Sequence, residues 1–334
     1  MPPLVERNQI GKRESLADLI ANVEVAQTPF SSQIPKRKRP VNNIHDWQLK
    51  KYKTVGHKGV LDNKDADNFG HNARKRVHAV GQKVWDNPAI SDFANEATIA
   101  GLSRGEMAEQ IADSIVAVKW KIERRGLSNE DCQIDDGTNP NETRGVFQWA
   151  STTAQTLYPV PDGYRPHADQ VFTDALDQLT EEEFKDMCAR AYKVRKGPHD
   201  LDGYVGVDLK RIITGYSIWT PDKSNHTLAR NFFQQATRTL TSVIDMLDLD
   251  TGKIKLHLSA HAMTDAETGE DSDYTHRSGI FSDMKMLWLR FTRKPRVRRL
   301  EDKGGGPRAI VDAIFMYGCD NPAQLMAVLT DSDS

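Results

Sequence analysis

The sequence predicts an α+β fold organised around one long helix, with a first quarter that cannot bury itself. Three observations predict it. Residues 104–125 carry apolar side chains at helical spacing. The C-terminal part runs in strand-length apolar pieces at 286–291, 309–317 and 324–329. The first 90 residues hold too few apolar side chains to close a core of their own.

Residues 1–45 read as an arm. Ser15 and Asp18 open a short helix over 16–24, whose one face is Leu16, Leu19, Ile20 and Val23. Four apolar side chains on two turns need a surface elsewhere on this chain or on another. Pro29, Pro35 and Pro40 then keep the chain extended, with the basic run Lys36, Arg37, Lys38 and Arg39 between the last two. Residues 46–88 read as a long two-stranded excursion. Trp47, Tyr52, Val55 and Val60 lead out to the polar tip LDNKDADNFGHNARKR, and Val77, Val80, Val84 and Trp85 lead back. A hairpin of this kind has little stability alone, and a long polar excursion is usually functional or disordered.

The strongest helix spans 104–125. Ser103 caps it, Glu106 closes the box, and Met107, Ile111, Ile115, Val118 and Ile122 form the stripe. Arg124 and Arg125 suit the C-terminal dipole, and Gly126 supplies the stop. Some 22 residues at 1.5 Å each give roughly 33 Å, enough to cross a whole face. A loop-rich link over 128–165 holds the apolar patch Val146, Phe147 and Trp149. A helix over 181–195 starts at a Thr180–Glu183 box and buries Phe184, Met187, Cys188, Ala191 and Tyr192; another lies near 227–238. Two strands then meet at the turn Asp250–Gly252, and Gly304–Gly306 and Asn321–Pro322 separate the last strands.

Composition narrows the function. No run of about 18 apolar residues exists for a membrane span, and MPPLVERNQIGKRESL lacks the apolar core of a secretory signal. Cys132, Cys188 and Cys319 are odd in number and far apart, which fits a reducing compartment. Charge is uneven: residues 1–90 hold 16 Lys/Arg against 9 Asp/Glu, while 127–204 hold 7 against 15. Such asymmetry suits ordinary solvated faces, complementary surfaces on neighbouring copies, or a basic face toward nucleic acid.

Chemical motifs are few. Asp250–Thr251–Gly252 spells the aspartic-protease triplet, but that chemistry needs two facing carboxylates, and Asp, Thr and Gly are turn formers. His257 and His261 are four apart, yet KIKLHLSA alternates with period two, which sets His257 among the lysines and opposite Ile254, Leu256 and Leu258. Gly304–Gly306 lacks the Lys-Ser/Thr of a phosphate loop. The basic stretch Arg290, Arg293, Lys294, Arg296, Arg298 and Arg299 ends one strand, with Arg296 and Arg298 on one face; it reads as a solvated or interface strand, or as a non-specific phosphate contact. No catalytic, cofactor-binding or metal-ligating residue is expected.

Several segments together resemble the major capsid (major head) proteins of tailed bacteriophages. They are RESLADLI, TPFSSQIPK and HDWQLKKY near the start, AGLSRGEMAEQIADSIVAVKWKIERRGL around the long helix, and LDTGKIKLHLS. The family's Gly-Glu-x-x-x-Gln pattern falls on Gly105, Glu106 and Gln110. The resemblance is dense over 10–127, patchy beyond, and only an outline over 128–230. It implies the shell fold shared by tailed phages and the herpesvirus capsid floor. In that fold 1–45 is the N-terminal arm and 46–88 the extended loop. Residues 89–150 form the peripheral domain with spine helix 104–125, 151–235 the axial domain, and 236–334 a β-rich part returning to the peripheral domain.

The implied function is structural. Copies assemble as pentamers and hexamers into an icosahedral or prolate head around double-stranded DNA, in a virion built in the host bacterial cytoplasm. Portal and scaffold proteins are the implied partners, a cement protein is left open, and non-specific DNA contact and no membrane are expected. An arm starting almost at Met1 implies a separate scaffold or none. Expected contacts between copies are Leu16, Leu19, Ile20, Lys36, Arg37, Lys38, Arg39, Lys58, Lys64, Arg74, Lys75 and Arg76. Lys58 and Lys64 lie where some such shells carry a lysine–asparagine cross-link, although nothing here marks an acceptor or a catalytic Glu. Two other functions are kept open: a cellular nanocompartment shell of the same fold, separated by an encapsulated enzyme, and a nucleic-acid-binding protein, separated by discrete monomers with salt-dependent DNA affinity.

Overall fold

A computed structural model describes residues 27–60, 62, 70–96, 105–197, 200–216, 245–301 and 304–331. The helices expected at 16–24 and near 227–238, and the expected cap Ser103, lie outside these residues.

The described chain opens with a single helical turn, α1 (Pro29–Gln33), and a two-residue strand, β1 (Lys36–Arg37). Strands β2 (Ile44–Lys50) and β3 (Arg74–Val80) then pair antiparallel from Ile44↔Val80 to Lys50↔Arg74. This ribbon is narrower than the excursion expected over 46–88. It closes at Gly81, whose N–H donates to the Asn43 carbonyl at 2.8 Å. Beyond that point β4 (Gln82–Asp86) joins a different sheet, so Val84 and Trp85 belong to the body. At the far end regular pairing stops at Lys50 and Arg74, and residues 51–60 are all exposed.

After the short α2 (Asp92–Glu96) comes α3 (Glu106–Gly126), 21 residues and roughly 31 Å long. Its cap is Gly105 at φ 79°, which places Glu106 inside the first turn, donor-paired through Gln110 Nε2 at 2.9 Å. Burial is graded along the helix. Val118 and Ile122 are in the core, whereas Met107, Ile111 and Ile115 are half-buried. Gly126 ends the helix for a reason other than a left-handed cap. A Cβ there would sit 2.7 Å from the Tyr317 ring and 2.9 Å from the Phe30 ring, so the residue is small because two aromatics cross it.

The link that follows is threaded through the core. One turn, α4 (Val146–Trp149), buries Val146, Phe147 and Trp149. A two-residue strand, β5 (Val171–Phe172), precedes α5 (Glu181–Arg195), whose Thr180 Oγ1 accepts the Glu183 N–H at 3.2 Å. Phe184, Met187, Cys188 and Ala191 are buried there, but Tyr192 is exposed at the helix flank. Next come β6 (Leu201–Val205), α6 (Val207–Gly215), and the hairpin β7 (Met246–Leu249) and β8 (Gly252–Leu258), turning at Asp250–Thr251. The last strands are β9 (Gly279–Ser282), β10 (Leu287–Leu300), β11 (Arg308–Cys319) and β12 (Met326–Val328).

Two sheets carry the body. A four-stranded sheet has the order β1-β10-β11-β4, with β1 parallel to β10 and the other pairs antiparallel. α3 packs on it through Val118 and Ile122, against Val311, Phe315 and Tyr317. A six-stranded mixed sheet has the order β5-β12-β9-β6-β8-β7 and its own apolar cluster with α5 and α6, including Phe184, Leu209 and Phe281. Residues 246–282, grouped by sequence with the C-terminal part, therefore share a sheet with β5 and β6 from the acidic middle. The reason is register: β6 pairs with β8 and β9 at once, along Leu201–Val205.

Candidate assembly site

The arm and the ribbon are fastened at their roots. α1 has no side-chain cap of its own. Glu123, fully buried on α3, supplies one: its Oε1 accepts the Phe30 N–H at 2.8 Å and Oε2 the Ser31 N–H at 2.6 Å. Phe30 and Ile34 are thereby seated in the main core, with Phe30 edge-on to Tyr204 at 5.1 Å. Burial pushes the Glu123 carboxyl up, against the lowering effect of the Ser31 and Phe30 hydrogen bonds. Further along, Arg37 grips Asp320 with both terminal nitrogens, one at 3.0 Å, and Trp288 Nε1 donates to the same Asp320 Oδ1 at 2.9 Å. The ribbon is held by Trp47, which packs between Trp149 at 5.7 Å and Trp288 at 5.1 Å.

Three arginine networks brace this root region. Arg125, expected to serve the helix dipole, is buried instead. Its Nε donates to the Thr143 carbonyl at 2.6 Å, and Nη1 faces Glu130 and, at 3.1 Å, Glu142. Arg144, 1% exposed, donates to Asp131 at 2.7 Å and to the Leu157 carbonyl at 2.6 Å, and stacks over Trp149 at 4.7 Å. Asp312 on β11 has no solvent access and collects Arg293 at 2.6 Å, Arg296 at 3.3 Å and Arg298 at 3.7 Å. Alternation alone puts Arg296 and Arg298 on one face. Register shifts between Phe291, Arg293 and Arg296 bring Arg293 onto the same face. The basic stretch is thus in part an internal clamp on a carboxylate.

The expected contact residues divide accordingly. Lys36, Lys38 and Arg39 are exposed on the arm, but Arg37 is turned inward to Asp320. Arg74, Lys75 and Arg76 are exposed on β3; Arg76 comes within 3.8 Å of Asp46. Lys58 is exposed beyond the paired part of the ribbon. Leu16, Leu19, Ile20 and Lys64 lie outside the described residues. Sequence reasoning missed Glu123 and Asp320. A Glu on the core-facing side of an otherwise regular helix stripe is the one signal for Glu123; Asp320 has none.

The other chemical motifs settle into structural roles. Asp250 and Thr251 form the β7–β8 turn. His257 stacks on Tyr204 at 5.2 Å and meets Asp202 at 3.2 Å, while Leu258, expected on the buried face, is exposed where β8 ends. Cys132, Cys188 and Cys319 are buried free thiols; burial raises the first to about 11 and the second to about 12, far from a thiolate nucleophile. Among the described residues no cluster of His, Cys, Asp and Glu is placed to hold a metal ion, and no helix is long and apolar enough to cross a membrane.

Comparison with known proteins places this architecture. A family model described as the SU10 major capsid protein matches residues 5–324. Among solved structures, the capsid of a native GTA particle is similar at TM-score 0.61 and 10% identity, covering 98% of each chain. The capsid of cyanophage P-SCSP1u is similar at 0.59 and 10%, covering 98% of this chain and 97% of that one. A protein of Mycobacterium phage Bobi is similar at 0.58 and 12%, covering 96% of both. No curated protein matches. At such identities the structural likeness establishes the fold.

Proposed function

From the premise that this chain belongs to the SU10 major capsid protein family, and is a structural shell protein of a phage virion, we propose how it builds that shell. Copies associate in rings of five and six, and the rings close into an icosahedral or prolate head around double-stranded DNA. The observation that carries this is the contrast between root and tip. Glu123, Arg37 and Trp47 fix the bases of the arm and the ribbon, while residues 51–60, beyond the last ribbon pair, are all exposed. Parts built this way gain their ordering energy from another surface.

The contacts we assign to neighbouring copies are Leu16, Leu19 and Ile20 on the arm, Lys36, Lys38 and Arg39 after it, and Lys58, Lys64, Arg74, Lys75 and Arg76 on the ribbon. Arg37 holds the arm's root. The division we propose is 1–45 arm, an extended loop drawn in from 46–88 to 46–80 because β4 belongs to the body, a peripheral domain within 81–150, 151–235 axial domain, with 236–334 contributing strands to both sheets. Portal and scaffold proteins complete assembly in the host cytoplasm, with non-specific contact to packaged DNA. A lattice of repeated interfaces needs no reaction, and we assign none. Negative-stain microscopy of the purified protein tests the proposal: closed shells of uniform diameter are expected, and monomers that never close under any salt condition would refute it.

A further inference from the structure

An open groove of about 710 Å³ runs between the arm, β10 and α3. Its accessible apolar surface is Phe291 and Pro295, lying over the buried Ile122 and Leu289. Its walls carry Lys36, Lys38, Arg39, Lys119 and Lys294, and among the described residues no carboxylate lines it. Arg37 also borders it, but Asp320 already neutralises that charge. Five cations around one concavity repel each other and favour an acidic occupant. The apolar floor and the lysine stems favour an occupant that is also apolar on one side.

The chain holds such a segment next to the groove's lip. Residues 14–24 contain Glu14, Asp18 and Glu24 and no Lys or Arg. They also contain the stripe Leu16, Leu19, Ile20 and Val23. Only Val25, Ala26 and Gln27 separate them from Thr28, which lines the groove. Three residues span at most about 11 Å, and so short a tether gives an effective concentration on the order of millimolar. We propose that, before assembly, segment 14–24 folds back into the groove of its own chain. Its stripe covers Phe291 and its carboxylates meet the lysines. The stripe and the groove then screen each other until a neighbouring copy competes for the stripe. The inference concerns a single chain, so it survives even if shells never form.

The test uses the full chain at a dilution where copies do not meet. In an Ile20→Cys/Phe291→Cys variant, mild oxidation should form a disulfide within one chain, joining the tryptic peptides 14–36 and 291–293; the native thiols are buried and stay out of the reaction. A second variant guards against misfolding. Lys38→Glu/Lys294→Glu, changed at two exposed positions, should speed cleavage after Glu24 by a Glu-specific protease at least tenfold. A disulfide between chains would overturn the proposal in favour of a groove filled by a second copy. So would an unchanged cleavage rate. So would unchanged cleavage combined with lost affinity for a short DNA duplex, which would give the groove to nucleic acid.

Discussion

Replacing Glu123 by alanine should detach the arm's root without melting the body. The carboxylate accepts two N–H groups, from Phe30 and Ser31, in the first turn of a helix that has no other cap. A buried donor left without an acceptor costs about 1–3 kcal/mol; the Phe30 N–H is buried and the Ser31 N–H only partly, so the two cost about 2–5. Relief from burying a carboxyl, which burial has pushed up, returns part of that. A net loss of about 2–4 kcal/mol follows. It falls first on local opening of α1, because Phe30 and Ile34 can leave while β10 and β11 stay paired. Amide exchange at Phe30 and Ser31 should accelerate about 30- to 1,000-fold, since each 1.4 kcal/mol is a factor of ten. Glu123→Gln keeps one acceptor oxygen and should lose about half as much. The pH dependence has a definite sign. The folded carboxyl binds its proton more tightly than the unfolded one, so wild-type stability falls as pH rises from the ordinary carboxylate value through the raised one. The Gln variant should lack that slope. Exchange at Phe30 unchanged in the alanine variant, or a glutamine variant as damaged as the alanine one, would refute the capping role.

Other perturbations separate the remaining elements. Asp312→Ala leaves three arginines facing one another, and their partial exposure moderates the loss to about 1–3 kcal/mol in urea unfolding. Burial pushes Asp312 up, but the hydrogen bonds from Arg293 and Arg296 and the charges of Arg293 and Arg298 outweigh it and hold its pKa low. Its stabilisation is therefore present above about pH 4 and disappears on further acidification, an acid limb that Asp312→Asn should flatten. Deletion of residues 1–24 should abolish shells by microscopy yet leave a soluble chain by gel filtration; normal shells would displace the arm from assembly. Boiled shells should run as one band at 37.6 kDa; a ladder above it would mean covalent cross-links between copies, and its loss in Lys58→Ala or Lys64→Ala would assign the lysine.

What could be read from the sequence was whatever repeats locally. The stripe Val118–Ile122, the Thr180 cap and the Asp250–Gly252 turn are each decided by neighbours within four residues. The acidic middle hid its sheet because β6 is defined by partners about 50 and 80 residues away, at Ile254–Leu258 and Gly279–Ser282. β10 ran past its apolar start because Asp312 neutralises arginines that otherwise read as a solvated end. Gly126 was legible as a glycine but not as a crossing point, since Phe30 and Tyr317 come from opposite ends of the chain. Within the basic run 36–39 only charge was legible, and charge does not distinguish Arg37, tied to Asp320, from Lys38 beside it.

The unpaired end of the ribbon has a consequence for how this protein can change. Around Gly56 and Gly59 a side chain would meet none of the described residues within 4 Å. Substitutions or short insertions there are invisible to the stability of the single chain. Selection then acts on that stretch mainly through what it touches in another molecule. A foreign peptide grafted between these glycines should leave the monomer's melting temperature unmoved, making the tip a place where shell geometry can be retuned while the fold stands still.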